Sequence, residues 1–296
     1  MVSRSLFGSG CAGLGSGCAR LNGRNCDSVK PMRIPCVASL LVALTASAFA
    51  QLAPPNNLGI SLGHIHFVVP DVDATKKAWV DIFGAVPEQA GSLGLLKIPG
   101  IFIILTKANT PPAGGTNGSV VNHIGLSVKD YADVKAKAAA AGLMWRELTP
   151  NVQAFVTFPE AVTVEVMEDK TLATAVAFHH IHESVPDQEA ARAWYMKEFG
   201  AGSGTRRNMP AAMMPGAEEI DFLKVPMPAA GTKGRSLDHI GFEVKDLAVT
   251  MKRLEADGVT INLPVRDMTK QIELKIAFVT DPNGTYIEIT EGLSAK

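Results

Sequence analysis

Three observations on the sequence predict an α+β fold made of four like units. A His-Ile pair lies at the start of a β-like run four times, in Gly63 to Val69, Asn122 to Val128, His179 to Val185 and Asp238 to Val244. The spacing is regular: 59 residues separate His64 from His123 and His180 from His239, and 116 separate His64 from His180 and His123 from His239. Each run leads into a helical pattern and then further β-like runs, so the unit reads strand, helix, two or three strands.

Residues 1–50 stand apart from this repeat. All four cysteines (Cys11, Cys18, Cys26, Cys36) lie there, so the rest of the chain forms no disulfide. Residues 32–50 combine a basic Arg33, an apolar run and the small-residue ending Ala48, Phe49, Ala50, which is the layout of a secretory signal peptide with Met32 as initiator. The stretch from Val37 to Ala50 is 14 residues, short of the roughly 20 that span a bilayer. A secreted or periplasmic protein beginning at Gln51 is the expectation, with no membrane attachment after cleavage. Of 28 basic and 29 acidic residues, five and one lie before residue 51, leaving 23 against 28 and a net charge of −5. A mildly acidic chain without basic runs has no electrostatic footprint for nucleic acid, so a small-molecule substrate is the expected partner.

The repeat predicts its elements in order. Helical patterns cover Ala74 to Phe83, Tyr131 to Ala141, Gln188 to Phe199 and Leu247 to Asp257, each followed by a glycine (Gly84, Gly142, Gly200, Gly258) suited to a helix end. Later β-like runs are Gly100 to Thr106, Ala154 to Val166, Ile220 to Val225 and Ile276 to Ile289. Loops at Thr110 to Ser119 and Val225 to Ser236 separate units within each half, and the polar stretch Met167 to Thr174 reads as the boundary between domains at 60–168 and 176–292. Asp281-Pro282-Asn283-Gly284 fits a type I turn between strands, and Phe158 to Ala161 is its poorer counterpart. Trp79, Trp194 and Tyr195 sit at helical positions and read as core; the run Met209 to Met214 reads as a pocket rim or a surface loop.

All seven histidines sit in the four His strands. Single strand histidines are usually core or cross-strand polar residues, but four at matching positions form a set. Alternation puts His64 and His66 on one face, likewise His180 and His182, and turns His179 to the other side as a structural residue.

This pattern resembles the vicinal oxygen chelate superfamily, which includes glyoxalases, extradiol dioxygenases, fosfomycin-resistance enzymes and bleomycin-binding proteins. The resemblance covers about residues 60–292. It implies four βαβββ modules paired into two domains with curled mixed sheets around metal-containing cavities. It also implies the ligand sets His64, His123 and Glu165 in the first domain and His180, His239 and Glu288 in the second.

Two imidazoles and one carboxylate form a facial set suited to a divalent Fe, Mn, Zn or Ni ion with positions open to substrate. Such an ion polarises a carbonyl or stabilises an enediolate-like species. Two ions per chain follow, the stronger expected in the second set because of its better turn. His66 and His182 are the candidate acid–base residues, one strand repeat from a ligand.

The further glutamate of glyoxalase I-like sites is missing: aligning Leu105 with Leu223 puts Ile104 and Phe222 near its place, and Asp221 serves only if the register slips by one. The tyrosine and histidine of extradiol dioxygenases are replaced by Phe278 and by residues around Lys270 to Ile272, with Phe155 in the first half. The expected activity is therefore glyoxalase-like lyase or isomerase chemistry on a small molecule with vicinal oxygens. The alternatives are a dioxygenase of the same superfamily and a non-catalytic binding protein of the bleomycin-resistance type.

Overall fold

A computed structural model of the protein describes residues 52–296. The expectations for the leader, its initiator Met32 and its end at Ala50 lie outside the described residues. From residue 52 onward the chain lies within one compact unit. None of its helices is long and apolar enough to cross a membrane.

The four units each fold as strand, helix and three strands. The first is β1 (Ile60–Val69), α1 (Val72–Phe83), β2 (Val86–Ala90), β3 (Leu93–Ile98) and β4 (Ile101–Lys107). The second is β5 (Val121–Val128), α2 (Tyr131–Ala140), β6 (Met144–Thr149), β7 (Gln153–Thr157) and β8 (Thr163–Glu168). The third is β9 (Val176–Val185), α3 (Gln188–Phe199), β10 (Gly202–Arg206), β11 (Met209–Met213) and β12 (Glu219–Lys224). The fourth is β13 (Leu237–Val244), α4 (Leu247–Ala256), β14 (Thr260–Asp267), the short α5 (Thr269–Ile272), β15 (Lys275–Thr280) and β16 (Tyr286–Glu291). Each main helix starts on an aspartate (Asp71, Asp130, Asp187, Asp246) whose carboxylate accepts from a backbone N–H in the first turn. Gly84 and Gly200 end α1 and α3 at φ 67°, where any side chain is strained. Met209 to Met213 is a strand between β10 and β12, not the rim or loop that its composition suggested.

The units pair in a different order from that expected. One eight-stranded sheet runs β14-β15-β16-β13-β1-β4-β3-β2 and joins the fourth unit to the first; the other runs β10-β11-β12-β9-β5-β8-β7-β6 and joins the third to the second. Both seams are antiparallel pairs of His strands, β1 with β13 and β9 with β5. Met167 to Thr174 therefore links strands of one sheet, whereas the loops at 110–119 and 225–236 pass from one sheet to the other. Those two loops pair with each other, through the Ser119 to Ala230 bridge and bonds such as Val120 N to Ala230 O, 2.8 Å. The reason for the difference is local degeneracy. Every His strand offers the same free edge, and its own sequence does not choose between like partners.

The main core lies between sheets and helices and includes Ile65, Phe67, Trp79, Tyr195, Phe199, Phe222 and Phe242. Trp79 and Tyr195 are core residues, as their helical positions suggested. The opposite face of each His strand carries the polar centres.

Candidate metal centres

Three adjacent strands build each centre. In the first, β1 sets His66 opposite His239 on β13, and β13 sets Gly241 opposite Glu288 on β16. Side chains at these positions rise from one face. The Nε2 atoms of His64 and His239 stand 2.9 and 3.0 Å from the same Oε2 of Glu288. One ligand atom from each of His64, His66, His239 and Glu288 lies within 4.8 Å of all the others. His64 is fully buried, and neither of its ring nitrogens makes a hydrogen bond. A buried, unbonded imidazole converging with a second imidazole on one carboxylate fits a divalent cation.

The second centre repeats the design on β9, β5 and β8. His123 Nε2 is 2.9 Å from Glu165 Oε2, and His180 Nε2 is 3.4 Å from that oxygen and 3.4 Å from His123 Nε2. His182 stacks on the His123 ring at 4.5 Å. All six ligand candidates are thus brought to two centres, but in exchanged partnership. His64 joins His239 and Glu288, and His123 with Glu165 joins His180, because the seams pair the first unit with the fourth and the second with the third.

Glycine makes both centres possible. A Cβ at Gly241 would fall 2.0 Å from Cε1 of His64, and one at Gly125 would fall 2.0 Å from Cε1 of His180. The His-Ile-Gly of the second and fourth units therefore accommodates the ring supplied by the His-Ile-His of the first and third.

The surroundings of the two centres differ. The Nδ1 of His239 faces Asp238 Oδ1 at 2.7 Å, while that of His123 faces the neutral Asn122 Oδ1 at 3.0 Å. Burial, the largest influence, lowers the His239 pKa, but the bonds to Asp238 and Glu288 outweigh it and raise it to about 9. Burial likewise works to raise Glu165 and Glu288, yet the paired imidazoles hold both below the usual carboxylate range.

The wall beside each His strand differs too. In the first centre Phe102 and Ile104 stand opposite His64 and His66; in the second, Glu219 and Asp221 stand opposite His180 and His182. This corrects the alignment of Ile104 with Phe222: the register does slip by one, because Ile220 and Phe222 fill the helix-side core and turn Asp221 to the centre. Burial, reinforced by Glu219, pushes Asp221 up to about 7. Arg206 enters the second centre, with Nη1 2.9 Å from both His180 Nδ1 and Glu219 Oε1. Gln153 donates to Glu165 Oε1.

A family model described as the Glyoxalase/Bleomycin resistance protein/Dioxygenase superfamily matches residues 177–289. The match covers most of the third and fourth units, and the first two repeat their order of strands and helix. Glyoxalase I from Zea mays shares the fold at a TM-score of 0.62 and 15% identity, over 80% of this chain and 94% of that one. A provisionally assigned dioxygenase from Bacillus subtilis does so at a TM-score of 0.57 and 14% identity, over 82% and 86%. At such identities the likeness is one of fold. No curated protein matches the chain significantly.

Within this fold several site residues escape a reading of the sequence. Tyr286 stacks on Phe278 at 4.7 Å and lies 5.9 Å from His239. It shares a strand face with Glu288 by simple alternation, a signal that was available. A phenol thus stands beside the position where Phe278 lacks one. Arg206 gave no signal, since it ends a strand that the sequence did not announce. His179 reverses its expected side: between the Gly125–His180 and Leu126–Phe178 pairs it is the unpaired residue of a bulge, and its ring lies 3.0 Å from His180 Nδ1 and 3.2 Å from Glu218.

The acid–base candidates also diverge. His66 Nε2 contacts Thr106 Oγ1 at 2.9 Å, leaving its buried Nδ1 unbonded. Burial first, and then His239, hold the His66 pKa well below the ordinary value. His182 is lowered to about 3, chiefly by burial.

Proposed function

We propose that the chain is a metal-dependent enzyme of glyoxalase-like lyase or isomerase chemistry, acting at the His64, His239 and Glu288 centre on a small molecule with vicinal oxygens. The observation that carries this reading is the convergence of two inward imidazole nitrogens on one carboxylate oxygen, with Asp238 behind His239. A carboxylate behind a histidine fixes the tautomer whose inner nitrogen binds a metal. An Fe, Mn, Zn or Ni ion held there would polarise a substrate carbonyl and favour loss of the neighbouring proton.

The chain's own residues supply the rest. Thr106 orients His66 so that Nδ1 is free to take or return a proton, the part played in glyoxalase I-like sites by a carboxylate that Ile104 cannot supply. Phe102, Ile104 and Leu274 belong to a buried apolar cluster on this side, which excludes water and favours an apolar group next to the substrate's oxygen pair. Tyr286 offers a hydroxyl for a substrate oxygen. The leader pattern at 32–50 supports action outside the cytoplasm.

Metal analysis with a panel of α-ketoaldehyde adducts and other vicinally oxygenated compounds tests the proposal. His66→Gln should lower kcat by about 10²- to 10⁴-fold with metal retained. Turnover unchanged by His66→Gln and by Glu288→Gln would remove this centre from the reaction. Tyr286 favours dioxygenase chemistry as a second reading. Iron-loaded protein given catechols and oxygen should nonetheless form negligible ring-fission product, and rapid product lost in His239→Ala would reverse that order.

A further inference from the structure

We infer that the chain has a single metal centre and that Arg206 keeps the equivalent His123, His180 and Glu165 set free of metal. The inference rests on the reading of His64, His239 and Glu288 as the metal centre and replaces the two ions that the repeated pattern suggests.

The argument concerns where the protons sit. A guanidinium is always charged, donates only and has no lone pair to offer. Nη1 of Arg206 carries two hydrogens, and its two shortest contacts, 2.9 Å each, are His180 Nδ1 and Glu219 Oε1. Nδ1 of His180 is therefore the acceptor. A neutral imidazole that accepts at Nδ1 carries its proton on Nε2. In His180 that nitrogen points inward, 3.4 Å from Glu165 Oε2. The atom that would ligate a cation thus holds a hydrogen directed at the carboxylate.

The first centre has the opposite arrangement. Asp238 accepts from Nδ1 of His239 and Glu288 faces its Nε2 at 3.0 Å. Both neighbours are anionic acceptors that leave Nε2 open to an arriving cation while Nδ1 keeps its hydrogen, and no cationic donor faces either nitrogen of His64. The positions equivalent to Arg206, Glu219 and Asp221 are Ala90, Phe102 and Ile104, and all three are buried and uncharged.

Charge and packing favour the same outcome. Arg206 lies 3.4 Å from Asp221 Oδ2 and 3.9 Å from Glu165 Oε1, so it compensates the carboxylates that would otherwise attract a divalent ion. A second cation would meet it at close range in a buried setting, where screening is weak. Its side chain is 12% exposed, and Nη2 contacts Met167 Sδ at 3.0 Å, so neighbours on three strands hold it in place. The second centre is then a salt-bridged node that ties β10, β12, β9 and β8 together.

The test counts metal. Full chain stripped with chelator, reloaded with excess Ni(II) or Zn(II) and desalted should hold one ion, by elemental analysis. Glu288→Gln should hold none, and Glu165→Gln should still hold one. Arg206→Met should hold two, and Arg206→Met with Glu165→Gln should return to one. In wild-type protein, nitrogen-15 spectra of the imidazoles should show the His180 proton on Nε2, a readout that survives even if Arg206→Met does not fold. Two ions in the wild type, a folded Arg206→Met with one, or His180 protonated on Nδ1 alone would overturn the inference while leaving the first centre intact. A wild type that takes up no ion would instead overturn the reading on which the inference rests.

Discussion

The two halves of the molecule repeat one backbone and diverge in the groups set into it, at the centres and at the joints between sheets. Beside the first centre lie Ala90, Phe102, Ile104 and Ile276; at the equivalent places in the second lie Arg206, Glu219, Asp221 and Gln153. The joints show the same division. Phe67, Trp79 and Phe158 stack at 5.8 and 5.3 Å where the β7–β8 turn of the second unit meets the first unit's helix. Their counterparts are Glu183, Tyr195 and Asp281, a buried hydrogen-bonded cluster in which Tyr195 donates to Glu183 at 2.7 Å and Thr285 donates to it at 3.1 Å. The repeat thus keeps its geometry while its chemistry divides: the first unit brings apolar side chains to both its centre and its joint, and the third brings polar and charged ones to both. A ligand set is therefore judged by its second neighbours as much as by its own residues.

The apolar joint should show the largest effect. Phe158→Ala empties a fully packed aromatic stack and should cost about 3–5 kcal/mol in chemical unfolding. Asp281→Asn at the equivalent place keeps its turn-capping oxygen and should cost far less. Equal losses would show that the joints are energetically alike despite their composition.

The glycine pair compares the centres directly. Gly241→Ala and Gly125→Ala each force a ring aside from a 2.0 Å approach, so both should destabilise, by about 1–3 kcal/mol. Only Gly241→Ala should also release metal. Next in size is Asp238→Asn, which should weaken metal binding by about 10- to 100-fold in titration, whereas Asn122→Ala should leave it unchanged. An equal response to both would mean that the second centre binds as well as the first.

The smallest effect is a pH dependence at the polar joint. Burial, with Asp281 adding to it, raises Glu183 well above its ordinary value, and burial raises Asp281 to about 6. The folded state therefore holds protons that the unfolded state has lost. The stability tied to this pair is complete below the ordinary carboxylate range near pH 4 and is lost as pH rises through about 6. Glu183→Gln keeps an acceptor for Tyr195 and Thr285 and removes the carboxyl whose charge Asp281 opposes. It should raise Tm at pH 8, by about 2–4 °C for each kcal/mol gained, and flatten the decline between pH 4 and 7. A wild type whose Tm does not fall over that range would remove the polar joint as a point of difference.

Much of this was legible in the sequence. The fourfold His-Ile spacing located the His strands and the helices that follow them, because these are set by local alternation, helix ends and repeat, whereas the two glutamates came only from the resemblance to a known family. Tyr286 was within reach of the same alternation. Edge strands such as β2, β6 and β10 were not, since short polar runs like Gly202 to Arg206 bury little and carry no period. Arg206 was hidden with its strand, and His179 was placed on the wrong side because a bulge is set by pairing with β5 and leaves no mark in the residues themselves.

By itself, then, the sequence determined the repeated unit and the four strands that carry the histidines. The tertiary structure decided which histidine meets which glutamate, the one-residue register that turns Asp221 rather than Phe222 to the second centre, and the arrival of a guanidinium beside His180. Each of those depends on an edge finding a partner far along the chain. Where four edges are nearly alike, the choice among them rests on the loops at 110–119 and 225–236 that cross between the sheets and on the packing they permit, and no local pattern records either.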